Sequence, residues 1–188
     1  DILFHMLLVH HRMESRGEPQ RAAEVRAAVE RLGGALADLW QREGQLGQFI
    51  DIEHGNVILG GSASGSLVPA GLARAGKRLD RREWIAAAEA MGEHFHAQFT
   101  RCGFTTGGPG DAMQAPDSES CAALVESYVS LYEITGDDRW LERAGEQARQ
   151  LAGWVMPYDF RFPDASEFGR LRIPTTGSVF ANAQNKHS

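Results

Sequence analysis

Cysteine is scarce in this chain, and the two residues present, Cys102 and Cys121, exclude several classes of protein. Two cysteines cannot build the disulfide framework of a small secreted domain, and their spacing is not that of a zinc site. Both stand beside predicted helical segments, where a buried thiol behaves as a small apolar side chain. This use of cysteine is typical of a reducing compartment, which favours the cytoplasm.

Long apolar runs and clusters of basic residues are also missing. No apolar run approaches the roughly 20 residues that a membrane-spanning helix needs, so the sequence predicts no membrane segment. Acidic residues outnumber basic ones by 25 to 19, and the net charge is −6. Because nucleic-acid binding requires a clustered basic surface, this balance argues against a DNA or RNA partner. The 188 residues contain enough apolar side chains for one packed domain over 1–188.

The two chain ends lead us to expect a piece of a longer protein. The sequence opens at Asp1 directly in helical periodicity, with neither an initiator Met nor a signal peptide, and it stops at Ser188 in a polar run. Any targeting segment would precede the first residue, so the sequence leaves the localisation open.

Repeated helix pairs are the strongest positive pattern. Trp84 and Trp140 lie 56 residues apart, and the apolar positions around the first recur around the second. Apolar spacings of three and four residues predict amphipathic helices over 2–15, 19–42, 63–78, 81–101, 119–135 and 138–156. Short β-branched runs around Gly55 predict a small β-hairpin. The fold is therefore predicted to be all-α, with three αα-hairpins, one β-hairpin and an extended segment after Pro157.

The connections between the predicted hairpins, at about 16 to 20 residues, are longer than ordinary helix–helix links. If the hairpins lie side by side, the odd-numbered helices run parallel, and every long connection lies at the rim where these helices begin. The first connection carries Asp51 and Glu53, and the second carries an acidic, glycine-rich loop over 107–119. Helix N-termini favour negative charge. We therefore expect the functional site at that rim.

The turn Tyr132–Leu141 reads YEITGDDRWL. Together with helix pairs of about 55 residues and acidic loops at one rim, it resembles the six-hairpin glycosidase superfamily over about residues 1–156. The resemblance implies an (α/α)6 toroid that acts on carbohydrate, and the superfamily includes glycoside hydrolases, polysaccharide lyases and sugar epimerases. Six hairpins need nearly twice this length, so the chain would supply about half of the ring. The turn motif is structural, and no catalytic residue is carried over from it.

Three carboxylates near the start of the fifth predicted helix are the candidate catalytic groups: Glu119, Asp117 and Asp111. Glycoside hydrolysis uses two carboxyl groups, one that protonates the leaving oxygen and one that acts as base or nucleophile. Each residue also has a structural alternative. Asp117 suits a helix N-cap, Glu119 complements the helix dipole, and Asp111 suits a turn. Because a helix N-terminus lowers a carboxyl pKa, an acid here would need burial or a second carboxylate nearby.

Six further residues are candidate substrate-binding groups: Asp51, Glu53, His54, Tyr158, Asn185 and His187. Asp51 and Glu53 are predicted to share one face of a strand by their period of two. Histidine and asparagine suit hydrogen bonding to sugar hydroxyls, and an exposed tyrosine suits stacking on a sugar ring. The structural alternatives are a solvated strand face for Asp51 and Glu53, a turn residue for His54, a core aromatic for Tyr158 and a solvated chain end for Asn185 and His187.

The predicted function is glycoside hydrolysis, and two alternatives stay open. A sugar epimerase or lyase on the same toroid would use His54, His187 or Tyr158 to abstract a proton. A non-catalytic αα-solenoid would bind a protein partner instead. We expect neither metal nor cofactor. His94 and His96 resemble a pair of metal ligands, but two residues apart on a helix their side chains diverge by about 200°. An incomplete ring would expose apolar residues such as Leu3, Leu7 and Trp154, so self-association is expected.

Overall fold

The computed structural model describes residues 2–108 and 114–184, and most of these residues are helical. The helices are α1 (Ile2–Ser15), α2 (Pro19–Glu43), α3 (Val68–Leu79), α4 (Arg82–Gln98), α5 (Ser118–Thr135), α6 (Asp138–Ala152) and the short α7 (Glu167–Leu171). A 3-10 turn, Thr100–Cys102, follows α4. Strands β1 (Phe49–Ile50) and β2 (Val57–Leu59) pair antiparallel. The all-α prediction is confirmed, and the small β-hairpin lies where it was predicted.

Two predicted helix boundaries were wrong by four residues or more. Helix α3 begins at Val68 instead of 63, because Gly65 has a φ of 82°, in the left-handed region that breaks a helix. Helix α6 ends at Ala152 instead of 156. Beyond it the chain turns back on itself, and Phe180 N donates a hydrogen bond to Trp154 O at 3.1 Å.

Consecutive helices pack as pairs, α1 with α2, α3 with α4, and α5 with α6. Helix α3 also contacts both α1 and α5, so it lies between these two helices. Small residues of α3 permit this close approach: the Leu3 side chain of α1 lies directly over Gly71. Leu3 is consequently buried, and Leu7 and Trp154 are half-buried, so the expectation that these three residues are exposed was wrong. None of the described helices combines the length and the apolar character needed to cross a bilayer.

The two repeated tryptophans each pack on a glycine of the preceding even-numbered helix. A Cβ atom at Gly33 of α2 would lie 2.6 Å from Trp84 Cζ3 of α4. A Cβ atom at Gly92 of α4 would lie 2.8 Å from Trp140 Cζ3 of α6. Each indole therefore requires a glycine on the facing helix. This shared packing requirement gives a physical reason for the recurrence of tryptophan at Trp84 and Trp140.

We expect Gly33→Ala to destabilise the fold by about 1–2 kcal/mol. Overpacking against Trp84 costs about 1–3 kcal/mol, and the better helix propensity of alanine returns up to about 1 kcal/mol. The adjacent Gly34 is a matched control, because nothing lies within 4 Å of a Cβ atom added there. Gly34→Ala should stabilise the protein. Urea unfolding of both variants measures the difference, and equal stabilisation would refute the tight contact.

Candidate functional site

The long connections contact one another at the end of the helix array where α3 and α5 begin. Ala63 N donates to Thr106 O at 2.7 Å and joins the first connection to the second. Ser118 N donates to Ala181 O at 2.9 Å and joins the start of α5 to the segment after α6. We call this surface the rim; it comprises the described residues of 44–67, 99–119 and 153–184.

Asp117 is the N-cap of α5 and is completely buried. Its carboxylate accepts hydrogen bonds from Ser120 N at 2.6 Å, from Ser120 Oγ at 2.8 Å and from Gly108 N at 3.1 Å. Its backbone N–H donates to Thr105 O at 3.1 Å. The geometry therefore favours the capping alternative over a catalytic role, because a carboxylate without solvent access does not contact a substrate in this conformation.

The glycine-rich loop before α5 is part of this cap. A Cβ atom at Gly108 would collide with the Asp117 carboxylate, and it would lie 2.8 Å from Ser120 Oγ. Gly107 has a φ of 86° and lies against Ser62 of the first connection. These glycines allow the second connection to approach the helix start closely enough for Gly108 to donate its hydrogen bond.

Asp117→Ala is expected to lower the free energy of unfolding by about 1–3 kcal/mol, because it removes a cap and leaves the buried Ser120 N–H without its acceptor. The N-cap of α6, Asp137, is half-buried, and its carboxylate accepts a hydrogen bond from Arg139 N at 3.0 Å. Asp137→Ala should cost less, at the lower end of the 0.5–2 kcal/mol range for lost caps. Thermal and urea unfolding compare the pair. An equal loss of unfolding free energy in both variants would mean that burial does not increase the contribution of the Asp117 cap to stability.

Glu119 lies in the first turn of α5 and is exposed. Over residues 2–108 and 114–184, its carboxylate has no hydrogen-bond or ion-pair partner. Glu119 is therefore an accessible carboxylate at the rim, on a helix whose start is capped by the buried Asp117.

Asp51, Glu53 and His54 lie in the turn between β1 and β2. The prediction that Asp51 and Glu53 share a strand face was wrong, because β1 ends at Ile50 and the Asp51 carboxylate folds back on the turn. It accepts from Glu53 N at 3.0 Å and lies 2.7 Å from His54 Nδ1. The Glu53 N–H and then the His54 ring hold the pKa of Asp51 below its ordinary value. No hydrogen bond or ion pair among the described residues joins this turn to Glu119.

The other predicted site residues fall into two groups. Tyr158 is 57% exposed in the segment after α6, so its ring is accessible to a ligand. Asp111, Asn185 and His187 lie outside the described residues.

Asn182 was not singled out from the sequence, yet it lies beside Asp117. The two residues form an isolated antiparallel bridge, and the Asn182 side chain is buried. Its Oδ1 accepts from Gln184 N at 3.0 Å, whereas its Nδ2 has no partner within the described part of the chain. Asn182 can be identified only from the structure, because the segment after α6 folds back onto the start of α5. Nothing in the local sequence indicates this contact.

No group of three or more His, Cys, Asp or Glu side chains in residues 2–108 and 114–184 is arranged to hold a metal ion. Comparison of the chain with protein-family models, with curated proteins and with solved structures gives no match.

Proposed function

We propose that this chain belongs to a carbohydrate-active enzyme, a glycoside hydrolase, with its site at the rim and Glu119 as a catalytic carboxylate. The observation that carries the proposal is the exposed Glu119 carboxylate, which has no partner among residues 2–108 and 114–184, beside the hydrogen-bonded cap of Asp117. Glycoside hydrolysis needs a carboxyl group that is both accessible and held in a fixed direction. Asp117 supplies the positioning, and Glu119 supplies the reactive group.

In this proposal the exposed Glu119 carboxylate acts as the base or the nucleophile. Asp111, from the same connection, is the proposed proton donor. Tyr158, Asp51, Glu53, His54, Asn185 and His187 are the proposed substrate-binding residues.

The proposed architecture is part of an (α/α)6 toroid. Its support is the packing of α3 between α1 and α5, with each odd-numbered helix paired to the even-numbered helix that follows. In such a ring the connections before the odd-numbered helices surround one opening, as required for a shared site.

The proposal is tested with aryl glycosides and oligosaccharides by following the release of new reducing ends. A hydrolase releases saturated sugars, and a polysaccharide lyase releases an unsaturated, ultraviolet-absorbing product. Turnover of one glycoside class with saturated products supports the proposal. Absence of turnover across the panel would favour the non-catalytic binding module.

The epimerase or lyase alternative is favoured by one observation, the 2.7 Å contact between Asp51 and His54 Nδ1. A carboxylate on one ring nitrogen orients the imidazole and leaves the other nitrogen for proton transfer. Deuterium incorporation into recovered sugar in heavy water distinguishes this chemistry from hydrolysis. His54→Gln should abolish such exchange.

We also propose that the chain self-associates through exposed apolar side chains. Ile2 and Leu8 of α1 are 70% and 54% exposed, and the segment after α6 exposes further large apolar residues. These are Tyr158, Phe160, Phe168, Leu171, Val179 and Phe180. Burying such surfaces is favourable. Sedimentation velocity should show concentration-dependent oligomers that Leu8→Lys reduces, and a monomer at all concentrations would contradict this.

A further inference from the structure

A cleft of about 370 Å3 opens where α2 and α4 end, and the mechanism proposed for Glu119 does not use it. It is lined by Glu43, Gly44, Gln45, Gly61, His94, Gln98 and Phe99. Its volume lies within the range of about 300–1,000 Å3 that is typical of small-molecule sites. The cleft therefore lies between the ends of these two helices and Gly61 of the first connection.

The cleft is held in shape by a contact between its two walls. Gln45 Oε1 accepts a hydrogen bond from Gly61 N at 3.0 Å. The neighbouring Gly60 has no room for a side chain, because a Cβ atom there would collide with the Gln45 amide. Since Oε1 is occupied, the Gln45 NH2 group is left as a donor. The amide is therefore fixed in one orientation.

His94 adds a neutral donor and acceptor to the same cleft. Its ring is half-buried and meets Trp40 edge-to-face, with centroids 5.4 Å apart. Burial lowers the pKa of His94, so the imidazole is neutral at pH 7. One ring nitrogen of a neutral imidazole donates and the other accepts.

The remaining polar groups of the cleft are also available. In the described part of the chain, neither the Glu43 carboxylate nor the Gln98 amide has a hydrogen-bond or ion-pair partner. Phe99 forms an apolar wall of the cleft. Hydrogen-bonding groups thus lie beside an apolar wall, and neither Lys nor Arg is among the lining residues.

We propose that this cleft is a second sugar-binding site that takes a single neutral pyranose ring. The mixed donors and acceptors match ring hydroxyls, and the apolar wall matches the C–H face of a sugar. The Glu43 carboxylate, which has no partner in the described part of the chain, opposes an anionic ligand, so a uronate or a sugar phosphate is disfavoured. The choice of carbohydrate rests on the proposed function, whereas the proposed hydrolysis assigns no role to any of the residues that line the cleft.

The test follows the backbone amides of the chain by NMR while methyl β-D-glucopyranoside, methyl β-D-galactopyranoside or glucuronate is added. We expect at least one methyl glycoside to shift the amides of Gly44, Gln45, Gly61 and Gln98, and glucuronate to shift them less. Glu43→Gln and Gln98→Ala should each weaken binding by about 3- to 10-fold. Glu24→Gln, at an exposed position on α2 outside the cleft, is the matched control and should leave the affinity unchanged.

The outcomes separate this inference from the proposed function. Shifts confined to residues 114–120, or cleft shifts that neither variant weakens, would overturn the second site and leave the proposed function standing. Cleft binding in a chain without glycosidase turnover would support the second site and count against the hydrolase. No amide shift with any of the three sugars would overturn the second site.

Discussion

Trp140→Ala is expected to lower the free energy of unfolding by about 3–5 kcal/mol, the range for deleting a large buried aromatic side chain. The indole is completely buried and stacks on Tyr128, with ring centroids 6.1 Å apart. The Arg143 guanidinium lies 4.7 Å from its centroid and Gly92 lies against its edge. The loss would be large because one side chain joins α4, α5 and α6.

Urea unfolding measures this loss, with Leu141→Ala as the control. Leu141 is the next residue of α6 and is 48% exposed, so its truncation should stay within about 0.5 kcal/mol. Comparable stabilities of the two variants would show that α6 does not pack on its neighbours through Trp140.

The helices could be predicted because their apolar spacing and the repeated tryptophans are local signals. The start of α3 could not, since the residues before Val68 are small and compatible with a helix. Only the left-handed backbone at Gly65 excludes them from it. The glycines opposite Trp84 and Trp140 were also unmarked in the sequence, because each contact joins helices that are distant along the chain.

The candidate site could be predicted only in part, because its contacts also join residues that are distant along the chain. A proline followed by Asp117 and Glu119 fits both a capped helix and a catalytic pair. The hydrogen bond from Gly108 and the burial of Asp117 distinguish the two residues. The cleft around His94 was not predicted from the sequence. Its lining residues come from the ends of two helices and from the connection that contains Gly61, and no local pattern links them.

Glu119→Gln is expected to reduce turnover by about 10²–10⁴-fold in the protein that carries the glycosidase activity. The substitution keeps the size of the side chain and removes its charge and its ability to accept or release a proton. The free energy of unfolding should change by no more than about 1 kcal/mol, the most that a dipole-complementing charge contributes at an exposed position. If Glu119 only complements the helix dipole, stability should fall by that small amount with turnover intact.

Glu142→Gln is the matched control for this variant. Glu142 is exposed on α6, and its carboxylate has no partner within the part of the chain that the structure describes. The Glu142→Gln substitution removes one negative charge, as Glu119→Gln does, but at a position outside the rim. Its turnover should equal that of the unmodified protein.

The most direct test is therefore the turnover of Glu119→Gln relative to Glu142→Gln on the best aryl glycoside, at equal folded fractions measured by circular dichroism. We predict that the ratio falls to about 10⁻² or below. Equal turnover in the two variants would contradict the assignment of Glu119 as a catalytic carboxylate.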